Sequence, residues 1–488
     1  MNAFNPTETT IAKVHRAMED GRLSCRALTE FYLEQIEKYD KRGPKLNAII
    51  LVNPDALPEA DKLDSFYAEH KTFAGPLHGI PVLLKDNVET KGLATTAGSL
   101  SMEGFVPDED AFIVKKLKEA GAIILAKANL HEFAIWGETI SSILGQTLNP
   151  YDLTRTPGGS SGGTGAAVAA NMGLIGIGTD TVNSVRSPAS ACSLVGIRPT
   201  MGLVSRSGIV PCSLTQDTAG PICRTVEDAA KCLDAIAAYD SADDITARGF
   251  KKRPASYTKS LKKDGAGGKR IGVLRSFFGS EAVNEPVNKV MQEAFVKLKS
   301  CGAELTDIEE QIDSQYLTDE VNVNLDDFRH ELDGFLSSLG SKAPIHSTEE
   351  LLESGKYHKG IEENLKKAMR LKPGTPKYNE KLILQDKMRT KLLKLMADYD
   401  LDAFVFPHQQ QLVCKVGDSQ KQRNGVLCAV TGFPSIVVPA GYAADANAPI
   451  GVPVGMEFVG RPFDEPVLIE IAYAYEQHSK VRKPPILG

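Results

Sequence analysis

The chain is sparing with several residue patterns, and each shortage removes a class of protein. It has a single tryptophan, Trp136, in 488 residues. Its eight cysteines, at 25, 192, 212, 223, 232, 301, 414 and 428, form no C-x-x-C pair and no finger-type spacing. A zinc module or redox dithiol is therefore excluded by pattern, and the thiols read as reduced cysteines of a cytoplasmic protein. Nine histidines are scattered without an H-x-x-x-H pair or other metal spacing. No stretch reaches the ~18 apolar residues of a spanning helix; Ala166 to Ile177 comes nearest and is broken by glycines and Asn171. The opening Met1-Asn2-Ala3-Phe4-Asn5 lacks a basic segment followed by an apolar one, so no secretory signal is expected. There is no surplus of positive charge either. A net charge of -6 argues against a general nucleic-acid binder. The basic stretch from Lys251 to Arg270 reads as a solvated surface loop.

What is present is ordinary in bulk, with 42% hydrophobic and 24% charged residues. That is enough chain for one large domain, or two to three ordinary ones, with a core that needs no disulfide or metal. Helical periodicity runs from about Thr9 to Asp40, with Ser24 as a helix start. Gly79 to Leu84 reads as a buried strand entering Lys85, Asp110 to Ala120 as an amphipathic helix, and Ala122 to Ala126 as a second buried strand. This rhythm predicts an α/β core with a largely parallel sheet. Asp240 to about Lys269 turns polar, as an insertion or linker does. Arg270 to Leu274 resumes as a strand, and Pro286 to Cys301 reads as a helix closed by Gly302. Residues 310 to 400 are charged and helical in pattern. Leu401 to Phe406 and Pro434 to Pro439 are further buried strands.

Residues 157 to 200 stand apart, rich in Gly, Ser, Ala and Thr and almost free of charge. Glycines permit unusual backbone angles, and small side chains let backbone amides approach a ligand. A tightly packed glycine-rich turn and helix is the plain alternative. A phosphate loop is not: no G-x-x-x-x-G-K-[ST] occurs, and the stretch holds no lysine. It does hold several hydroxyls.

Seven segments together resemble the amidase signature family. They are G-P-L-H-G-I-P-V-L-L-K-D-N at 75–87, T-T-A-G-S at 95–99, P-G-G-S-S-G-G at 157–163, G-T-D-T-x-x-S-x-R at 178–186, G-I-R-P-T at 196–200, Q-D-T-A-G-P at 216–221 and G-F-P-S-I-V-V-P-A-G at 432–441. The resemblance runs from about residue 10 to 240 and resumes from about 400 to 480. It implies a single large α/β/α domain over 1–488 with a mixed central sheet flanked by helices. The core would lie at about 70–240 and 400–480, N-terminal helices at about 8–40, and a variable helical insertion at about 240–400.

The resemblance also implies a site. Lys85 is the base, Ser160 follows a cis peptide bond and relays the proton, and Ser184 is the nucleophile. Ser161 supports the Lys85 cluster. A serine hydroxyl needs a neighbouring base, and a lysine serves as one only when neutral, which burial among Ile80, Val82, Leu83 and Leu84 favours. The backbone N–H groups of Thr181, Val182, Asn183 and Ser184 form the oxyanion hole. Asp180 and Arg186 form an ion pair that holds the loop, and Trp136 is a candidate pocket wall. Where relatives usually carry Gly-Gly before the nucleophile, this chain has Val182-Asn183. Either the loop keeps its shape with Val182 at negative φ, its side chain narrowing the acyl pocket, or the loop is altered and activity weakened.

The function so implied is hydrolysis of a carboxylic amide to acid plus amine or ammonia through an acyl-Ser184 intermediate, with no metal and no organic cofactor. The partner is a small-molecule amide, with no nucleic acid and no membrane, and a homodimer is expected from relatives. Competing readings are a carbamate or ester hydrolase with the same triad, the amidase component of a glutaminyl-tRNA amidotransferase, and a binding protein on a decayed amidase scaffold.

Overall fold

The protein is described here by a computed structural model covering residues 4–487. Its strands are β1 (Ile49–Val52), β2 (Pro81–Lys85), β3 (Ile123–Ala128), β4 (Ile140–Ser141), β5 (Gly145–Gln146), β6 (Ile175–Asp180), β7 (Val195–Arg198), β8 (Thr218–Cys223), β9 (Arg270–Leu274), β10 (Glu304–Ile308), β11 (Ala403–Pro407), β12 (Ser435–Asp445) and β13 (Ala448–Val459). Apart from the small β4–β5 pair, they form one sheet of 11 strands in the order β1-β3-β2-β6-β8-β7-β12-β13-β11-β9-β10. Helices flank it, in a single α/β architecture.

The sheet is mixed, and less parallel than the strand–helix rhythm predicts. β3, β2 and β6 run parallel, as do β10, β9 and β11. The strands between them are antiparallel, from β6 through β8, β7, β12 and β13 to β11. For one pair the reason is connection length. β12 and β13 are joined by Ala446-Asn447 alone, and only antiparallel strands close over so short a turn. β2, β3 and β6 are buried along every residue, as expected of strands covered on both faces.

The span 240–400 is not a purely helical insertion. β9 and β10 from this span complete the sheet, and the helix Glu285–Ser300 packs on β12. β10 is an edge strand with mostly polar, partly exposed residues, so it leaves no apolar run to read. The N-terminal reading holds at its start: Ser24 Oγ accepts the Ala27 N–H at 3.0 Å and caps the helix Cys25–Ile36. Helices Asn324–Ser338 and Glu362–Arg370 bury their own apolar cluster, in which Phe328 meets Phe133 edge-on at 6.4 Å. That contact lays the 324–370 segment over Phe133 to Ile135, beside Trp136.

The glycine-rich stretch contains a strand that its composition conceals. β6 carries Gly176 and Gly178, residues that weaken a strand. Both sit where the helix Gly162–Ala169 and its preceding turn press on the sheet. A Cβ on Gly178 would stand 2.7 Å from Ser161 Oγ, and one on Gly176 would collide with the Thr164 side chain. Gly163 is tighter still. A Cβ there would lie 2.5 Å from Asn129 N and 2.7 Å from Ala48 O, both backbone atoms with little freedom to move. Gly163→Ala is therefore expected to destabilise the fold by about 1–3 kcal/mol through overpacking. Denaturant unfolding measures this, and an unchanged midpoint would reject the close-packing argument.

Candidate active site

Because β3, β2 and β6 are parallel, their C-terminal ends lie side by side, the usual place for a ligand in such sheets. β2 ends on Lys85 and β6 on Thr179-Asp180. Lys85 Nζ lies 2.7 Å from Ser160 Oγ and 2.7 Å from Thr179 Oγ1. Asn87 Nδ2 also donates to Thr179 Oγ1, at 3.2 Å. Lys85 has no exposed surface, and burial lowers its pKa to about 7. The amine is thus neutral in a large fraction of molecules at neutral pH, with a lone pair for the Ser160 proton.

Ser160 and Ser161 occupy the turn before the helix Gly162–Ala169, and the Gly159–Ser160 peptide bond is cis. The turn is tied on several sides. His131 N donates to Ser160 O at 2.9 Å, and Thr139 Oγ1 donates to Gly158 O at 2.7 Å while accepting from Gly162 N at 3.0 Å. Ser161 Oγ donates to Thr179 O at 3.2 Å, and Ser161 N donates to Ser184 O at 3.2 Å. These bonds join Lys85, Ser160, Ser161 and Ser184 into one buried assembly.

Residues 181–184 form the loop between β6 and the helix Arg186–Ala191. The N–H groups of Thr181, Val182, Asn183 and Ser184 donate to no protein acceptor among the described residues, whereas the next, Val185, is held by Asp180 Oδ2 at 3.0 Å. Four free amides therefore lie in the segment that carries the Ser184 hydroxyl. Neither Val182 nor Asn183 has a positive φ, so this loop does not use the freedom glycine would supply.

A buried charge network holds the loop from behind. Arg186 reaches Asp180 at 2.9 Å, Glu457 at 2.6 Å and the Val182 carbonyl at 2.6 Å. Arg198 reaches Asp180 at 2.7 Å, and His408 Nδ1 lies 2.6 Å from Glu457 Oε2. Burial alone would push both carboxyls up. Arg186 with Arg198 at Asp180, and Arg186 with His408 at Glu457, outweigh it and hold both below the usual carboxylate range.

A cavity of about 60 Å³ opens at Ser184, lined by the loop, by Trp136 and Arg423, and by Thr318, Asn322 and Asn324. Trp136 Nε1 donates to Ser419 Oγ at 3.1 Å, and the Arg423 guanidinium sits 5.2 Å from the Trp136 ring centre while pairing with Glu138 at 2.5 Å. Sequence reasoning missed Asn87 and Thr179, although both lie inside quoted motifs. It also missed Thr139, Asn322, Asn324, His408, Arg423 and Glu457. No local pattern marks these, because strand register and the helical segment bring them in.

A fold with this sheet, and a buried lysine–serine cluster at the ends of its parallel strands, defines the class. Residues 27–469 match the family described as Amidase, and the chain belongs to that family. It is a hydrolase of the kind acting on carbon–nitrogen bonds. Its relatives include a probable amidase of Arabidopsis thaliana, 35% identical over 99% of this chain and 92% of the relative. The A component of the glutamyl-tRNA(Gln) amidotransferase of Thermoanaerobacter pseudethanolicus is 33% identical over 98% of each chain. Among solved structures, the native peptide amidase of Stenotrophomonas maltophilia is 36% identical over 99% of each chain, with a TM-score of 0.89.

The charge network makes a stability prediction. Arg186→Met leaves Glu457 and part of Asp180 uncompensated and is expected to cost about 3–5 kcal/mol. The two carboxyls titrate below their usual values of 3.8 and 4.5, Glu457 at about 2. Their contribution is therefore complete above about pH 4.5 and disappears as the pH falls toward 2. The gap between wild type and variant, measured by denaturant unfolding, should narrow as the pH falls through that window.

Proposed function

We propose that the chain hydrolyses a carboxylic amide through an acyl-Ser184 intermediate, with Lys85 as base and Ser160 as proton relay. The single observation that carries this reading is a fully buried lysine, with its pKa lowered to about 7, in contact with the Ser160 hydroxyl. Neutral Lys85 takes the Ser160 proton, and Ser160 takes the proton of Ser184 as it attacks the carbonyl carbon. Negative charge develops on the former carbonyl oxygen, and the free N–H groups of residues 181–184 receive it. Such donors are typically worth about 3–4 kcal/mol each. The proton held by Lys85 returns through Ser160 to the leaving nitrogen, the carbon–nitrogen bond breaks, and water then cleaves the acyl-enzyme. Asn87 and Thr179 orient the lysine, Ser161 ties the relay turn to the nucleophile loop, and Asp180 and Arg186 hold that loop. Trp136 serves as a pocket wall. No step requires a metal or organic cofactor. The eight free thiols fit a reducing, cytoplasmic setting, and a homodimer is carried in the same reading.

The peptide amidase likeness favours a free amidase acting on a peptide-like amide. The likeness to the amidotransferase component over 98% of the chain supports a second reading, ammonia release from glutamine alongside a partner protein. Co-purification of such a partner with glutaminase activity would favour that reading. A panel of aliphatic, aryl, peptide and carbamate substrates separates amidase from esterase or carbamate activity.

Two outcomes test the chemistry. Ser184→Ala should lower kcat/KM at least about 10³-fold, and a fluorophosphonate should label Ser184 in folded wild type. If Ser184 stays unlabelled, the active-hydrolase reading fails. Because the working form of Lys85 is neutral, kcat/KM should rise with pH through about 7 and level off above it. A profile that falls across this range would contradict a lysine base.

A further inference from the structure

Asn183 puts a side chain directly before the nucleophile, and two enclosed polar atoms beside it lack partners. They are its own Nδ2 and Nε2 of His408. Both side chains crowd one point. A Cβ on Gly425 would stand 2.7 Å from Asn183 Cβ and 2.8 Å from His408 Cε1, so the absence of a side chain at Gly425 is what lets both pack against the same spot. The ring nitrogen on the far side, Nδ1, is engaged at 2.6 Å by the Glu457 carboxylate, itself held by Arg186. A carboxylate only accepts, so in the neutral imidazole Nδ1 carries the proton and Nε2 is an acceptor. The Asn183 NH2 group only donates. The two unpartnered atoms are therefore complementary. Leaving each buried and unpaired costs about 1–3 kcal/mol, which pairing them would remove.

With Nδ2 turned inward, the other end of the amide is defined. Asn183 Oδ1 accepts no protein hydrogen bond and is not among the enclosed unpartnered atoms, and Asn183 lines the cavity at Ser184. The lining also includes Thr318, Asn322 and Asn324, all neutral hydrogen-bonding side chains, and its one charged group, Arg423, is paired with Glu138. Such a cavity suits a neutral, polar acyl group.

We propose that Asn183 is a specificity-determining residue. Held through Nδ2 by His408, it presents Oδ1 to the substrate and accepts an N–H on the acyl side of the scissile carbonyl. The substrate class is a carboxylic amide with an N–H donor next to that carbonyl, as in an acylamino amide. The proposal rests on Ser184 as nucleophile.

The test is a matched pair of primary amides that differ in one atom: N-acetyl-alaninamide, and O-acetyl-lactamide in which the acyl-side N–H is replaced by oxygen. Wild type should prefer the N–H substrate by at least about tenfold in kcat/KM, the size of one hydrogen bond. Asn183→Ala should bring that ratio toward one. His408→Asn, which keeps a donor toward Glu457 but removes the acceptor at Nε2, should also lower it. Fluorophosphonate labelling of Ser184 checks that each variant is folded and competent. A wild-type ratio near one, a ratio unchanged in Asn183→Ala, or a labelled wild type that turns over neither amide would overturn the proposal. Failure of Ser184 to label in wild type would instead strike the hydrolase reading beneath it.

Discussion

Arg186 is a full positive charge with no access to water, and the loop that carries Ser184 is built around it. Its guanidinium faces Asp180 at the start of the loop, the Val182 carbonyl in its middle and Glu457 on β13. Burying a charge is costly unless every donor finds a strong acceptor. Here those acceptors are drawn from three places that the loop must connect. The loop is thereby bent into a shape in which its own amides point away from the protein's acceptors. Free N–H groups at residues 181–184 and a satisfied guanidinium behind them are two results of one constraint.

Lys85 shows the opposite solution to burial. Arg186 keeps its charge because carboxylates surround it. Lys85 has only hydroxyl groups within bonding distance, and the acidic side chains that favour its charged form act from farther away. Desolvation wins, and its pKa falls to about 7. Two buried basic groups sit near the ends of adjacent parallel strands, one kept charged and one brought close to neutral pH in its titration. The difference lies in which groups touch them.

Around this frame, further side chains shape the cavity. Val182 and Asn183 sit on the loop without positive φ, so they add bulk and hydrogen-bonding capacity without demanding a new backbone path. Trp136 is braced by Arg423 and Ser419. Thr318, Asn322 and Asn324 close the far side from a segment laid down by the packing of Phe328 on Phe133.

Much of this was legible locally. An apolar run ending in Lys85, small hydroxyl-rich residues around Ser160 and Ser184, and an acid and a base flanking the latter are short-range patterns. Short-range patterns survive in a linear reading because neighbours in the chain remain neighbours in space. The helix starting after Ser24 and the strand at Arg270 were readable for the same reason. Other features depended on distant segments meeting. β6 was hidden because its glycines answer to the helix packed against it. The mixed direction of the sheet followed from pairings between strands distant in the chain, and the place of β10 from an edge position with no apolar signature. Residues 408 and 457 meet only because β11 pairs antiparallel with β13, Pro407 opposite Met456. The sequence by itself determined which groups were available for chemistry. Only the tertiary structure decided which cation would be paired, which lysine would be desolvated and which side chains would face Ser184, because charge state and cavity shape are set by whatever the fold brings within a few ångströms.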